Sequence, residues 1–257
     1  MEVTFSSFED LKQFFINCNY FVDQNNYHDA TFIDNSDGEI ERRINEYFIL
    51  MYGEDEEEYN TANEEEKKEI EQEKCTTILE VSKYVDSPAL VNFIMDKNPD
   101  IRHPIDLQGN SSFCCVESEY FENNKILLER GFSELINEEI YVTYGIFEER
   151  RIYPIHLIAG VTICSKTKLD TIKLMKQYGV NLNSTTSEKN KTALIIFIKE
   201  LLEYQKITSI TNVEIDIIKQ LATRTNLDIC DSDGNKPKLL IRQLNIPEKH
   251  KELIINM

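Results

Sequence analysis

The chain is most constrained by an internal similarity that recurs every thirty to forty-five residues from about Lys74 onward. Each stretch reads as a short helix, a turn, a longer apolar helix and a polar turn. In the first, Thr77–Ser82 is the short helix and Ser87-Pro88-Ala89 opens the longer one, Leu90-Val91-Asn92-Phe93-Ile94-Met95. Asp96 to Ile101 closes it, with Asn98 as a residue that tolerates left-handed backbone. The second starts with the turn Asp106-Leu107-Gln108-Gly109-Asn110, continues through Ser111-Ser112-Phe113-Cys114, and ends with Lys125-Ile126-Leu127-Leu128-Glu129-Arg130-Gly131. The third holds Tyr153-Pro154-Ile155-His156-Leu157-Ile158-Ala159, then Asp170 to Gly179 and Val180-Asn181-Leu182-Asn183. The fourth holds Lys191-Thr192-Ala193-Leu194-Ile195-Ile196-Phe197, then Val213 to Leu221 and Asn226-Leu227-Asp228-Ile229. A fifth, incomplete unit opens at Asp231-Ser232-Asp233-Gly234-Asn235-Lys236-Pro237 and adds Leu239, Leu240 and Ile241.

Two short helices cannot bury their apolar faces alone, so such units must stack. Leu90, Phe93 and Ile94 need Leu127 and Leu128, which in turn need Ile172 and Leu174. These segments resemble ankyrin repeats, whose units of about 33 residues pair a turn with two helices, the first opened by T-P-L-H-x-A. The match is nearest at Tyr153–Ala159. The resemblance covers roughly residues 74–245 and rests on register across units. It implies an all-α, right-handed ankyrin-repeat solenoid with an N-terminal helical cap. It also implies that His156 is structural, hydrogen-bonding between the turns of adjacent repeats. The pattern is stretched: Pro154 to Ala193 spans 39 residues and Ala193 to Pro237 spans 44. Residues 162–168 and 205–212 read as insertions between the two helices of their units. From Gly131 to Tyr153 there are 22 steps, where the family needs about a dozen.

Ahead of this region the chain is different. Residues 1–73 hold 21 Asp/Glu against 5 Lys/Arg, a net −16 of the chain's −18. Residues 1–53 read as a helical cap built on Phe8–Ile16 and Ile40–Met51, with Phe14, Phe15, Tyr47 and Phe48 able to cover the first repeat. Residues 54–73, with Glu54-Asp55-Glu56-Glu57-Glu58 and Glu64-Glu65-Glu66, read as an acidic linker or frayed helix, because like charges repel and resist packing. The alternative is a docking strip at 54–66 for a basic partner. Residues 74–257 form the solenoid, closed by the polar stretch Pro247–Glu252. The 8 Gly and 6 Pro are few for the many tight turns of a β-sandwich or barrel.

The residues argue against several functions. Nucleic-acid binding needs a basic face, and no Lys/Arg cluster is present. No apolar run reaches the roughly 18 residues of a membrane span, and Met1–Phe5 does not begin a signal peptide. Cys18, Cys75, Cys114, Cys115, Cys164 and Cys230 form no C-x-x-C pair and read as reduced thiols of a cytoplasmic protein. His28, His103 and His250 are isolated from one another and from any Cys pair, so no metal ligand set forms. No phosphate-loop, dinucleotide, nucleophile-elbow or zincin motif occurs, and no cofactor is expected. Glu138-Glu139 and Glu148-Glu149 are adjacent pairs that do not face one another.

The expectation is therefore a non-enzymatic adaptor that binds a protein. Its surface is the concave face of inter-repeat turns and first helices, with Arg102, Gln108, Asn183 and Asp228 as contacts. The enlarged turn at 133–150 carries Ile140, Tyr141, Val142, Tyr144, Ile146 and Phe147. It either folds back on the solenoid or projects as a finger with Tyr141, Tyr144 and Phe147 as anchors. The Ile-, Asn-, Lys- and Glu-rich composition is similar to that of divergent ankyrin proteins of intracellular bacteria, amoebae and large DNA viruses. That suggests a host-directed effector or immune antagonist in the host cytoplasm. Alternatives are a homo-oligomeric structural protein, or an enzyme that binds a metal through the acidic N-terminal segment.

Overall fold

The computed structural model describes residues 98–143 except 103 and 106–108, residues 151–160 and 165–257, and the helix Pro88–Asp96. Ahead of that helix it describes only 3–4, 30–31, 63, 65–67, 79 and 83. The expected cap helices, the run Glu54–Glu58 and most of the first short helix lie outside the described residues. So do Gln108, Tyr144, Phe147, Cys18, Cys75, Cys164, His28 and His103.

The described residues are mostly helical, in keeping with an all-α chain. Two strand pairs interrupt them. β1 (Val3–Thr4) lies parallel to β2 (Ala30–Thr31), and β3 (Ile140–Tyr141) lies antiparallel to β4 (Arg151–Ile152). The α-helices are α1 (Pro88–Asp96), α2 (Phe121–Glu129), α3 (Pro154–Gly160), α4 (Ser165–Gln177), α5 (Ala193–Tyr204), α6 (Asn212–Leu221), α7 (Pro237–Gln243) and α8 (Glu248–Ile255). Short 3₁₀ helices lie at Ser112–Glu117, Phe132–Leu135 and Asn226–Asp228.

The helices pack in two rows. In the first, the 3₁₀ helix Ser112–Glu117 contacts α3, α3 contacts α5, and α5 contacts α7. In the second, α1 contacts α2, α2 contacts α4, α4 contacts α6, and α6 contacts α8. The rows are joined where the 3₁₀ helix meets α2, α3 meets α4, α5 meets α6 and α7 meets α8. Leu127, Leu128, Ile155, Leu157, Ile172, Met175, Leu194, Ile195, Ile217 and Ile218 share one continuous core between them.

The helix ends follow local chemistry. Thr192 caps α5 by accepting the Ile195 N–H, and Thr211 and Glu214 form a reciprocal capping box at the start of α6. Past the second-row helices the chain turns through left-handed backbone at Asn98 (φ 53°), Gly131 (φ 136°) and Gly179 (φ 81°). Asn98 thus takes the stop position that glycine holds twice afterwards. At Gly179 no atom lies within 4 Å of an added Cβ, so backbone conformation and not space selects glycine.

Three expectations change. Residues 165–168 belong to α4 and not to an insertion, because Thr167 and Lys168 are buried in its first turn. Ser112–Glu117 forms a 3₁₀ helix capped by the Ser111 hydroxyl, with all six residues buried. A further helix, α8, follows α7 and buries Ile254, so the charged stretch Pro247–Glu252 leads into a packed helix and not a polar end.

Buried amides tie successive helix pairs together. Asn124 accepts the Ser118 N–H at 3.1 Å and donates to Ser118 O at 2.9 Å and to Thr171 Oγ1 at 3.3 Å. Asn226 is fully buried, accepts the Thr223 N–H at 2.8 Å, and donates to Leu182 O at 3.0 Å and Leu221 O at 2.8 Å. Asn226→Ala leaves these three backbone groups unpaired in the interior. We expect a loss of about 2–3 kcal/mol, read as a lower urea midpoint with unchanged slope. A loss below about 0.5 kcal/mol contradicts this role.

Candidate functional site

α3 and the start of α5 offer little surface. All seven residues of α3 are buried, as are Ala193 to Ile198 of α5. The exposed groups nearest them belong to the turns that precede each first-row helix. Those turns close on themselves: Ile105 N–H donates to Asn110 O (2.8 Å), Thr186 N–H to Lys191 O (2.9 Å) and Asp231 N–H to Asn235 O (3.1 Å). The β3–β4 hairpin occupies the corresponding place before α3.

Neighbouring turns bond to one another. Ser111 N–H donates to Tyr141 O (2.9 Å), and Thr143 N–H to Asn110 Oδ1 (2.6 Å). The Ser187 hydroxyl donates to Glu139 Oε1 (3.1 Å). Ser232 N–H donates to Lys189 O (2.9 Å), and the Asn190 amide to Cys230 O (2.7 Å). The result is a continuous edge of hydrogen-bonded turns.

His156 anchors this edge from below. It is fully buried; the Tyr153 N–H donates to Nδ1 at 3.2 Å and Nε2 lies 3.0 Å from Ser184 O. Because Nδ1 accepts, Nε2 carries the proton and donates to the carbonyl of the next turn. Both ring nitrogens are used, so the imidazole is a tie and not a free base.

Asp231 anchors the last turn. Its carboxylate accepts from Lys199 Nζ (2.7 Å), from the Asn235 backbone (2.8 Å) and side chain (3.0 Å), and from the Asp233 N–H (3.1 Å). Burial works to raise its pKa, but the bonds from Lys199 and Asn235 outweigh burial and hold it below the usual range.

The described candidate contacts all lie on or beside these turns, and each has an intramolecular bond. Exposed Arg102 forks onto Glu138 at 2.5 and 3.1 Å, which accounts for one of the adjacent acidic pairs. Exposed Asp228 receives Lys238 Nζ at 2.8 and 3.0 Å. Exposed Asn183 accepts the Thr223 hydroxyl at 2.6 Å. Tyr141 is half-buried; Gly109 lies close enough that an added Cβ would meet the ring at 3.8 Å. Its strand neighbours Ile140 and Val142 are in the core, so the described part of the 133–150 segment folds back onto the helices. Tyr144, Phe147 and Gln108 lie outside the described residues.

Among the described residues no group of three or more His, Cys, Asp or Glu is placed to hold a metal ion, and no helix is long and apolar enough to cross a membrane. No protein-family model matches the chain, and no curated protein matches it.

Sequence reasoning missed one polar cluster. Lys168, in the first turn of α4, is buried beneath α5. Its ammonium donates to Ala159 O near the end of α3 (3.0 Å), lies 5.1 Å from the centre of the Phe197 ring and 3.9 Å from Glu200. Glu214 faces the same ammonium from α6, hydrogen-bonded by Ser165 and Thr211. Four helices therefore meet around one cation. Burial pushes Lys168 down from 10.5 to about 8, and burial pushes Glu200 up from 4.5 to about 7, each partly offset by the other's charge.

The signs give a pH window. A raised Glu200 contributes stability below pH 4.5 that is lost as pH rises through about 7. A lowered Lys168 contributes stability above pH 10.5 that is lost as pH falls through about 8. Between pH 7 and 8 both burial costs are in force. We expect Lys168→Met/Glu200→Gln to equal or exceed the parent's stability in that window, and Lys168→Met alone to lose about 2 kcal/mol. Urea unfolding at pH 5, 7.5 and 9.5 checks both; a double variant weaker than the single one contradicts the reading.

Proposed function

We propose that this chain is a divergent ankyrin-repeat protein that binds a protein partner through its edge of turns and catalyses no reaction. The observation that carries this reading is the His156 bridge. A T-P-L-H-like histidine accepts its own turn's N–H and reaches Ser184 in the next turn at 3.0 Å. The like-on-like packing of the two helix rows supports it, because each pair's main contacts with its neighbours are what a solenoid requires. Left-handed stops at Asn98, Gly131 and Gly179 add register.

Protein binding follows from the surface that this arrangement leaves. With α3 and the first half of α5 buried, side chains of several turns stand side by side on a rigid edge. Tyr141, Tyr144 and Phe147, with Arg102, Gln108, Asn183 and Asp228, are the contacts we assign. A cytoplasmic setting, in the host if the protein is an effector or immune antagonist, fits six Cys without a C-x-x-C pair and the Ile-, Asn-, Lys- and Glu-rich composition.

The test is affinity capture from a host-type cell lysate with quantitative mass spectrometry. The parent is compared with Tyr141→Ala/Tyr144→Ala/Phe147→Ala, whose helicity is checked by circular dichroism. We expect a protein held by the parent and reduced at least about tenfold by the variant, as for loss of an aromatic hot spot. Equal capture by both removes these three residues from the site. Capture of nothing above background in repeated lysates overturns the binding reading.

A further inference from the structure

The last helix pair exposes a face unlike the rest of this acidic chain. Residues 236–252 hold five Lys/Arg and two Asp/Glu, a net +3 against −18 overall. On α7 the exposed stripe is Lys236, Leu239, Arg242 and Gln243, at helical spacing. On α8, packed against α7, it is Lys249, Glu252, Leu253 and Asn256. Leu239 is 54% exposed and Leu253 57%, two of only six large hydrophobic side chains so exposed among the described residues. Among the described residues no ion pair within 4 Å holds Lys236, Arg242 or Lys249, although the Lys236 charge acts on Asp228, whereas Lys238 is held by Asp228 and Lys251 by Glu248. Two leucines flanked by unneutralised cations make a surface suited to an acidic segment with an apolar anchor.

The chain itself contains such a segment. Glu54–Glu58 is followed by Tyr59, and Glu64–Glu66 follows within a few residues. Asn63 accepts the N–H groups of Glu65 (2.9 Å) and Glu66 (3.1 Å), and Glu66 accepts the Asn63 N–H (2.7 Å). This reciprocal cap presents Glu65 and Glu66 exposed on the first turn of a helix.

We propose that the α7–α8 face binds the acidic strip 54–66 of a second copy, a head-to-tail contact between a basic and an acidic surface of the same chain. Such a contact is heterologous and joins copies in series. Its attraction is between exposed charges, so salt screens it.

Analytical ultracentrifugation of the full chain tests this. In about 50 mM salt we expect mass to rise with concentration above the 30.1 kDa of one copy, and in about 500 mM salt to return to it. Lys236→Glu/Arg242→Glu/Lys249→Glu should weaken association at least about tenfold, as should Glu64→Lys/Glu65→Lys/Glu66→Lys. Mixing the two variants restores opposite charges between one variant's face and the other's strip, so the mixture should associate where neither variant does alone. The described positions among these, Lys236, Arg242, Lys249, Glu65 and Glu66, are exposed, and circular dichroism confirms that both variants fold. A monomer at every concentration in low salt overturns the proposal, including the case where strip and face meet within one copy. Association untouched by the substitutions, or a mixture that stays monomeric, also overturns it.

Discussion

The fold depends on the fact that its helices are too short to stand alone. α3 has seven residues and every one is buried, so its stability derives from α4, α5 and the 3₁₀ helix Ser112–Glu117 around it. An isolated helix of that length is unstable in water, since nucleation costs more than one or two turns return. Each pair is therefore conditional on the next. The polar ties matter for the same reason: apolar contact is non-directional and would let neighbouring pairs slide. His156, Asn124 and Asn226 each span two successive pairs with directed hydrogen bonds. An arrangement that leaves their donors and acceptors unmade is penalised by the full desolvation of those groups.

Lys168 belongs to a different category. It ends inside the stack, where apolar side chains of similar volume would pack without the cost of burying charge. What its ammonium does uniquely is join a carbonyl near the end of α3 to a carboxylate on α5, with the Glu214 charge of α6 adding to the attraction. The cluster specifies which four helices meet more than it strengthens their meeting. Its titration window straddles neutral pH because the desolvation of each partner exceeds what the other's charge returns.

Much of this was legible in the sequence where a residue type has few physical uses. Asn98 before Pro99, and Gly at 131 and 179, marked the helix stops because few residues accept left-handed backbone. The caps Thr192 and Thr211 are local too, each hydroxyl standing one residue before its helix and accepting one of the first free N–H groups. The resemblance of Tyr153–Ala159 to the ankyrin motif anticipated that His156 joins two turns, though not that Ser184 would be its acceptor. What escaped notice has a common cause. α8 reads as a charged tail because a helix packed on one side only needs Ile254 and little else, and one apolar position carries no period. Lys168 reads as a surface residue because Ser165 to Lys168 is polar throughout, and only tertiary packing of α5 above it reveals the burial. Pairings such as Arg102–Glu138 and Lys238–Asp228 join residues 36 and 10 apart with no local signature.

The same pairings separate the turn residues into two groups with different consequences for binding. Arg102–Glu138 and Lys238–Asp228 are exposed ion pairs that solvent screens, so a partner's charge can replace either member with little loss to the fold. Asp231 and His156 are buried with every bonding site engaged, and recruiting them would open the turn itself. The partner we propose would thus be restricted to the outer ring of the edge: Arg102, Tyr141, Asn183, Asp228 and the tips at Ser187 to Asn190 and Ser232 to Gly234. The inner ring holds that outer ring in place. Because the inner ring bonds turn to turn, a contact made at one turn finds the next already positioned, and the ordering cost of binding is met largely in folding.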